Sequence, residues 1–370
     1  MALTSPTSNP DGAAGIHNNH RSCDSRHDLE CENDSDHNQS QVPKADTIAC
    51  YERKTGFGGV WTCFAVYGLI CTFCVLGPLF AIGWLFIPFT FGVWHFAAFA
   101  TAYCITQTLP PFYLRAYKQG PIGGVFIREL VYYMTPFKVV KEATLDPSQK
   151  YIFGWHPHGR LFYGFGTFLG LFFEWFPEIA NAGKDIFAGI NDVMFRIPFL
   201  SNWFYLCGNI PCNKSSVASK LARGDSVALI IGGIDEVLEG TFDDRDVLFL
   251  LNRKGFCKLA IEQGAGLVPA FCFGENSIYA HERREGLFGL DFWRAANRFA
   301  KVGAPFPIRG AWGSPIPRRV PMLVAFGAPI FPGPGESVDD LHARYVAALV
   351  ALHARHASAS PYPNRRLVLV

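Results

Sequence analysis

The hexapeptide Gly-Trp-His-Pro-His-Gly at residues 154–159 carries the residue types best suited to chemistry in this chain. An imidazole has a pKa near neutrality, so it can take a proton from a hydroxyl group and return it later. Pro157 fixes the backbone before the second imidazole, and Gly159 permits a tight turn after it. The segment is therefore a candidate general-base site; the alternative is a pair of structural histidines in a turn.

Within this turn we assign the general base to His158. His156, which the following proline biases towards an extended backbone, is assigned an orienting or hydrogen-bonding role, with an exchange of the two roles left open. Gly159 should open space for a substrate. The N–H groups of Gly159 and Arg160 would face a developing oxyanion if a helix begins there.

A long uncharged run indicates a membrane segment. The chain has 370 residues, and residues 55–114 contain no Asp, Glu, Lys or Arg. About 20 apolar residues span a bilayer as a helix, so this run fits two spans or a re-entrant hairpin, broken at residues 77–78 or 87–88. Basic residues at 53–54 and 115–118 predict that both flanks lie in the cytosol. The alternative is a buried hydrophobic hairpin in the protein core.

Residues 1–54 are predicted to be a disordered cytosolic tail, because their start is rich in Ser, Asp, Asn and His and has no apolar stretch for a signal peptide. Cys23, His27, Cys31 and His37 stand at spacings that a zinc ion could tolerate, but the short Cys-x-x-Cys step of common zinc folds is missing. We therefore expect no metal site. The eleven cysteines form no disulfide framework, so reduced thiols are expected.

Residues 115–370 are predicted to form one α/β domain with a largely parallel sheet. The predicted strands are Lys150–Phe153, Val227–Ile231, Val247–Leu251, Leu267–Phe273 and Met322–Phe326. The predicted helices are Ser216–Ala222, Phe256–Gln263, Asp291–Lys301 and Asp339–His356. In such a sheet, functional groups collect at the carboxyl ends of the strands.

Helix ends and faces can be predicted in two places. Asn213 or Ser215 should cap the helix that Gly224 stops. Ser337 with Asp340 resembles a capping box at the start of the last helix. That helix repeats apolar residues at helical spacing, namely Leu341, Tyr345, Leu349 and Leu352. We expect this stripe to pack in the core, with contact to a bilayer surface as the alternative.

Three strings of this chain resemble the type 2 diacylglycerol acyltransferase family, with its monoacylglycerol and wax-alcohol acyltransferase relatives. They are YIFGWHPHG (151–159), ALIIGGIDEVLEG (228–240) and LLNRKGFCKLAIEQGAGLVPAFCFGEN (250–276). The resemblance implies a glycerolipid-acyltransferase-like domain. It also implies acyl transfer from acyl-CoA to the hydroxyl of diacylglycerol at the endoplasmic reticulum membrane, with triacylglycerol as product. Monoacylglycerol and long-chain alcohols remain alternative acceptors.

A thioester is activated enough for direct attack by an alcohol when a base removes the hydroxyl proton, so no nucleophilic Ser or Cys is required. Related glycerolipid acyltransferases place an Asp five positions after the catalytic His, but Leu161 and Tyr163 occupy those positions here. The carboxylate that orients the imidazole must then come from elsewhere. Glu236 matches the glutamate of the family's Gly-Gly-x-x-Glu string and is the leading candidate, with Asp235 as runner-up. A merely solvated loop residue is the alternative.

Other residues are candidates for substrate contacts. Arg253 and Lys254 precede a predicted helix, where two cations would suit the phosphates of coenzyme A, the alternative being a solvated basic turn. Glu275 and Asn276 end the next strand and are candidate pocket-lining residues. We expect no cofactor beyond acyl-CoA as co-substrate. The expected partners are acyl-CoA, diacylglycerol and the lipid bilayer, with a homo-oligomer left open and no nucleic acid.

The sequence disfavours two other classes of function. A serine hydrolase is disfavoured because no Gly-x-Ser-x-Gly elbow occurs in the chain. A non-catalytic hairpin protein of lipid droplets would need the apolar run but neither the histidines nor the glycine-rich strand ends. The surface of lipid droplets is a second expected location of the acyltransferase, beside the endoplasmic reticulum.

Overall fold

An eight-stranded sheet lies at the centre of the computed structural model, which describes residues 45–52, 92–108, 121–196, 200–239, 244–280 and 308–370, with residues 295 and 299. The strands are β1 (Asp46–Tyr51), β2 (Phe137–Lys141), β3 (Tyr151–His156), β4 (Ile186–Ile190), β5 (Asn209–Pro211), β6 (Ser226–Ile230), β7 (Arg245–Leu248), β8 (Gly266–Phe273), β9 (Met322–Phe326) and β10 (Arg366–Leu369). The α-helices are α1 (Val93–Thr108), α2 (Pro121–Tyr133), α3 (Tyr163–Trp175), α4 (Pro177–Asn181), α5 (Leu200–Leu206), α6 (Lys214–Ala222), α7 (Gly233–Glu239), α8 (Gly255–Gln263) and α9 (Val338–Ala357). Short 3₁₀ helices cover Asp192–Arg196, Glu275–Ser277 and Ala311–Gly313.

The strand order of the main sheet is β1-β2-β9-β8-β3-β6-β4-β5. The five strands from β8 to β5 run parallel to one another. β9 is antiparallel to β8 and parallel to β2, and β1 is antiparallel to β2. This confirms the predicted mixed α/β fold with a largely parallel sheet. Because parallel strands end at the same edge, the residues that follow β3, β6 and β8 are brought together.

β3 is buried along its whole length, as expected for a parallel strand covered by helices on both faces. Phe153 and Trp155 pack on the side of α3, where the Trp155 ring stacks on Phe168 with ring centroids 5.3 Å apart. Ile152 belongs to the core on the opposite face. Side chains alternate along a strand, so His156 shares that second face with Ile152.

The second face of the sheet is covered by α9 together with α6 and α8. The four stripe residues of α9, Leu341, Tyr345, Leu349 and Leu352, are fully buried. They pack with the residues of β8 and β9 on this face. The prediction that the stripe belongs to the core is confirmed, and contact of this stripe with a bilayer was the wrong alternative.

The residues predicted to cap the ends of two helices do so in the structure. The Asn213 side chain accepts a hydrogen bond from the Ser216 N–H at 2.9 Å at the start of α6, and Gly224 after this helix has a positive φ. At the start of α9, the Ser337 hydroxyl accepts from the Asp340 N–H at 3.1 Å. The strands predicted at 227–231, 267–273 and 322–326 are found within one residue at each end.

The prediction for residues 247–251 was wrong about the sheet. This segment forms β7, but β7 pairs in parallel with the C-terminal strand β10 in a separate two-stranded sheet. The reason is that both neighbours of β8 in the main sheet are already taken by β3 and β9. β7 therefore lies beside the main sheet and holds the C-terminal end of the chain.

The N-terminal predictions are only partly covered. Residues 46–51, which we assigned to the tail, form β1 of the main sheet, so this boundary was wrong. Residues 1–44 and most of the predicted hairpin (55–91 and 109–114) lie outside the described residues. The helix predicted at 291–301 also lies outside them, apart from positions 295 and 299. Among the helices that the structure describes, none combines the length and apolarity needed to cross a membrane.

Candidate active site

The His-Pro-His-Gly turn lies at the carboxyl edge of the parallel sheet. It follows β3, which pairs with β6 on one side and with β8 on the other. The segment after β6 supplies Glu236, and the segment after β8 supplies Glu275. The three strand ends therefore bring one histidine-bearing turn and two carboxyl groups together from residues far apart in the chain.

Glu236 fixes the first end of the turn through the main chain. Its Oε1 accepts a hydrogen bond from the His158 N–H at 2.6 Å, and its Oε2 accepts from the Phe249 N–H at 3.3 Å. Gly232 allows this arrangement, because a Cβ at that position would collide with the Glu236 carboxylate. Burial raises the pKa of Glu236 to about 7, although both hydrogen bonds favour the charged form.

This contact corrects the predicted dyad. We expected the Glu236 carboxylate to hold the imidazole ring of His158, but it holds the backbone N–H of that residue. Asp235 does not take over the role, since its carboxylate pairs with Arg253 at 2.8 Å on the surface. Glu236 is thus a positioning residue for the turn in this structure.

Glu275 fixes the other end of the turn. Its two oxygens accept hydrogen bonds from the Tyr163 N–H at 2.6 Å and from the Gly164 N–H at 2.7 Å, which are the first N–H groups of α3. A carboxylate at a helix N-terminus is favourable for the helix dipole. The carboxyl group is buried, and burial raises its pKa to about 7. Glu275 is therefore a helix cap rather than a pocket-lining residue.

The helix start also corrects the predicted oxyanion site. The N–H groups of Gly159 and Arg160 were expected to face an oxyanion only if a helix begins there, and this condition is not met because α3 begins at Tyr163. Phe162 before it has a left-handed conformation with φ 44°, which is uncommon for a residue with a Cβ. Residues held in such conformations need a surrounding structure that fixes them, and the two hydrogen bonds to Glu275 supply it immediately afterwards.

The ring of His158 is held by its own turn. Nδ1 lies 3.0 Å from the carbonyl oxygen of Gly159. A carbonyl only accepts, so Nδ1 carries the proton and Nε2 keeps its lone pair. The residue is partly exposed, and the surrounding protein lowers its pKa to about 4 by burial. The imidazole is therefore neutral at physiological pH, with a lone pair on Nε2.

His156 lies in a different environment. Its ring is fully buried and its Nε2 lies 3.0 Å from the hydroxyl of Tyr345 in α9, which itself donates to the Gly154 carbonyl at 3.2 Å. Burial lowers the pKa of His156 to about 3. The geometry therefore favours an orienting role for His156 and not the exchange of roles between the two histidines.

The two predicted phosphate-binding cations lie on the surface near this edge. Arg253 pairs with Asp235 at 2.8 Å, and the Lys254 Nζ pairs with Asp339 at 2.6 Å. All four side chains are at least one third exposed. A Cβ on Gly233 would lie 3.8 Å from Nη2 of Arg253, so this cation is near the loop that carries Glu236.

Asn276 takes part in a buried polar network and not in a pocket. Its Nδ2 donates to the Asp246 carboxylate at 2.8 Å, and Arg365 pairs with the same carboxylate at 2.9 Å. This network ties the segment after β8 to β7 and to the C-terminal end of the chain. In the part of the chain that the structure describes, no group of three His, Cys, Asp or Glu side chains could hold a metal ion.

Sequence reasoning missed two contacts. Tyr345 was assigned only to the core, yet its hydroxyl is the partner of His156 across 189 residues of sequence. Glu275 was assigned to the pocket lining, and its role as a helix cap was not predicted. The signal for its role was present in the glycines of the turn, since a Cβ on Gly159 would lie 2.6 Å from Glu275 Cγ and one on Gly164 2.7 Å from Oε2.

The described chain is an α/β protein with a histidine-bearing turn at the carboxyl edge of its parallel strands. A family model described as diacylglycerol acyltransferase matches residues 116–369. The chain belongs to the diacylglycerol acyltransferase family.

Curated relatives agree with this assignment. The chain is 33% identical over 244 residues to diacylglycerol O-acyltransferase 2A of Umbelopsis ramanniana, with 60% of this chain and 66% of that protein covered. It is 34% identical over 243 residues to diacylglycerol O-acyltransferase 2 of Danio rerio, with 59% and 63% covered. The chain thus matches just under two thirds of the length of both relatives.

Two further matches complete the comparison. The chain is 30% identical over 328 residues to 2-acylglycerol O-acyltransferase 3 of Homo sapiens, with 80% of this chain and 90% of that protein covered. The crystal structure of the 1-acyl-sn-glycerophosphate acyltransferase from Thermotoga maritima aligns with 80% of this chain and 96% of that chain at 13% identity. Its TM-score of 0.38 is too low to carry an argument.

The geometry of the turn predicts an effect of a glycine that has no functional group. In Gly159→Ala, the new Cβ would lie 2.6 Å from Glu275 Cγ on a backbone with φ 64°. We expect kcat/KM to fall at least about tenfold, because small displacements at a reacting group are costly. Gly166→Ala in α3 is the matched control, since its Cβ would meet nothing within 4 Å. Equal activity of the two variants would show that the turn tolerates displacement.

The lowered pKa of His158 predicts the pH dependence of kcat/KM. A base with a pKa of about 4 stays neutral at pH 6.5, where an ordinary histidine is half protonated. Glu236 and Glu275 protonate near pH 7, but each keeps lone pairs for a main-chain N–H. As the pH is lowered, we therefore expect kcat/KM to decline partially near pH 7 and to be lost fully only near pH 4. A single complete loss centred at pH 6.5 would contradict the buried environment of the imidazole.

Proposed function

We propose that this protein is an acyl-CoA-dependent O-acyltransferase that esterifies diacylglycerol to triacylglycerol, with His158 as the general base. The observation that carries the proposal is the state of the His158 ring. Its Nδ1 proton is held by the Gly159 carbonyl, so Nε2 presents a lone pair on a turn that is fixed at both ends. Membership of the diacylglycerol acyltransferase family supports the same chemistry.

The proposed reaction is a direct transfer. The hydroxyl oxygen of the acceptor attacks the thioester carbon while His158 Nε2 takes the hydroxyl proton. The carbon–sulfur bond then breaks, and the proton on the imidazole passes to the departing thiolate of coenzyme A. An ester and free coenzyme A result, and the imidazole returns to its neutral state.

Two buried cysteines near the sheet are poorly suited to form a covalent acyl-enzyme. A thiol becomes a good nucleophile when its pKa is lowered. Here burial raises the pKa of Cys257 to about 12 and that of Cys272 well above its ordinary value. These two thiols are therefore protonated at neutral pH.

We assign recognition of the coenzyme A phosphates to Arg253 and Lys254. The two cations precede α8, where the helix dipole favours an anion. Their present partners, Asp235 and Asp339, form surface ion pairs of little net stability, so a phosphate can compete for the cations.

Monoacylglycerol is the second candidate acceptor. It is favoured by one observation, the 2-acylglycerol O-acyltransferase 3 of Homo sapiens that covers 80% of this chain. Both acceptors present a hydroxyl beside an apolar body, and pocket shape discriminates such pairs weakly.

We place the protein at the endoplasmic reticulum membrane and at lipid droplet surfaces, anchored by the uncharged run at residues 55–114 as a hairpin with the catalytic domain in the cytosol. α1 lies within this run and exposes Val93, Trp94 and Ile105, which would be unfavourable in water and suits a lipid environment.

Removal of the base tests the proposal. In microsomes supplied with labelled acyl-CoA and diacylglycerol, we expect His158→Ala to lower triacylglycerol formation at least about hundredfold, because a positioned base contributes that much. Membrane insertion, measured by carbonate extraction, should be unchanged. His95→Ala removes an exposed histidine of α1 and serves as the control with wild-type activity.

Two results of this assay test the proposal: the residual activity of His158→Ala and the identity of the ester product. Substantial residual activity of His158→Ala would exclude His158 as the base. A panel of acceptors in the same assay separates the candidates: triacylglycerol as the main product supports diacylglycerol as the acceptor, whereas diacylglycerol as the main product supports monoacylglycerol. No ester from either acceptor would refute the proposed function.

A further inference from the structure

An exposed tryptophan lies on a tight loop before β9. Trp312 is 86% exposed, although it is the largest apolar side chain type. It occupies the 3₁₀ turn Ala311–Gly313 in a left-handed conformation with φ 53°. A bulky residue in this conformation is a backbone outlier, and such outliers persist only where the surrounding structure fixes them.

The loop is built to hold this conformation. The Gly310 N–H donates to the Ser314 carbonyl at 2.6 Å, and the Ala311 N–H donates to the Ile316 carbonyl at 2.7 Å. The Ser314 hydroxyl donates to the Ala311 carbonyl at 2.7 Å. Three crossing hydrogen bonds within a few residues leave the indole as the group that projects from the loop into solvent.

Sheet topology places this loop at the catalytic edge. β9 is antiparallel to β8, so the start of β9 lies where β8 ends. Two backbone hydrogen bonds join the loop to the segment just after Glu275, from the Arg318 N–H to the Ile278 carbonyl at 3.0 Å and from the Ala280 N–H to the Arg309 carbonyl at 2.8 Å. Only a short segment separates the loop from the carboxyl group that fixes the turn.

The loop is also joined to the helix that follows the uncharged run. The hydroxyl of Tyr133, the last residue of α2, donates to the Pro317 carbonyl at 2.8 Å. The Arg319 guanidinium lies over the Tyr133 ring at 5.1 Å from its centroid and donates to the Tyr133 carbonyl at 3.2 Å. The end of α2, the helix that follows the uncharged run in sequence, therefore contacts this loop.

Two basic residues follow the tryptophan on the same loop and fit a headgroup layer. Arg318 and Arg319 are exposed, and guanidinium groups bind phosphate oxygens in a bidentate manner. Tryptophan is enriched at membrane–water interfaces, because the indole is apolar with one polar N–H. A bilayer surface that contains anionic phospholipid is thus the occupant favoured by charge, by aromatic content and by continuity with the uncharged run.

We propose that residues 308–319 form a lipid-contact loop, in which Trp312 enters the bilayer interface and Arg318 contacts headgroup phosphates. The catalytic edge then faces the membrane, and a lipid acceptor reaches His158 from the bilayer plane. The route of the acceptor rests on the proposed function, whereas the lipid contact is independent of it.

Photo-crosslinking tests the lipid contact directly. A benzoyl-phenylalanine replaces Trp312 in the full-length chain, which is reconstituted in phosphatidylcholine vesicles with and without phosphatidylserine and traced by radiolabelled phospholipid. We expect phospholipid adducts at position 312, with more adduct when phosphatidylserine is present. The same photo-reactive residue at Val350, an exposed apolar position on α9, should give none. Equal lipid labelling at both positions, or crosslinks from position 312 only to protein, would overturn the proposal.

A kinetic comparison tests the consequence for the acceptor. Trp312→Gly keeps a residue that accepts a positive φ and removes only the indole. We expect it to raise the apparent KM for a long-chain acceptor in vesicles at least about fivefold, while kcat with a soluble short-chain diacylglycerol stays within about twofold of wild type. Val350→Ser is the control that should change neither value.

The outcomes separate the two proposals. An unchanged KM in vesicles, or an equal loss with both acceptors, would overturn the role of the loop. A wild-type protein without acyl transfer to any acceptor would refute the proposed function, while lipid adducts at position 312 would still establish the lipid contact.

Discussion

The structure of the site depends on main-chain N–H groups that are held by two buried carboxyl groups. Glu236 accepts from the N–H of His158, and Glu275 accepts from the first two N–H groups of α3. The residues between these points have no regular secondary structure and include a left-handed Phe162. Without hydrogen-bonded anchors, such a segment would sample many conformations and the imidazole would lose its fixed position. The rest of the fold serves to bring these two carboxyl groups to the turn.

Several features follow from this constraint. Three adjacent parallel strands are required, because the turn and the two carboxyl groups come from the ends of β3, β6 and β8. Gly159 and Gly232 are required because each lies against one of the carboxyl groups. Since the carboxylates bond to the main chain, the imidazole of His158 is oriented by a carbonyl, which fixes the tautomer without placing a negative charge beside it. Burial then keeps both histidines neutral.

Local signals in the sequence predicted much of the fold. The cap at Asn213, the left-handed Gly224 after α6 and the stripe of α9 all depend on neighbouring residues, so they could be read from the chain. The choice of Glu236 came from family resemblance and identified a residue that contacts His158, but sequence could not show that the donor would be the backbone N–H and not the imidazole ring. The pairing of β7 with the C-terminal strand and the contact of His156 with Tyr345 depend on tertiary geometry, which no local pattern encodes.

The central claim is that the two carboxyl groups act together on one turn, and a double-mutant cycle tests it most directly. Glu236→Gln and Glu275→Gln each place an amide NH₂ where a main-chain N–H needs an acceptor. At pH 8, with folding of each variant checked by thermal melting, kcat/KM should fall about tenfold or more in each single variant and hardly further in the double variant. The account would be contradicted if the two losses in kcat/KM multiplied fully in the double variant, or if either single variant had wild-type kcat/KM.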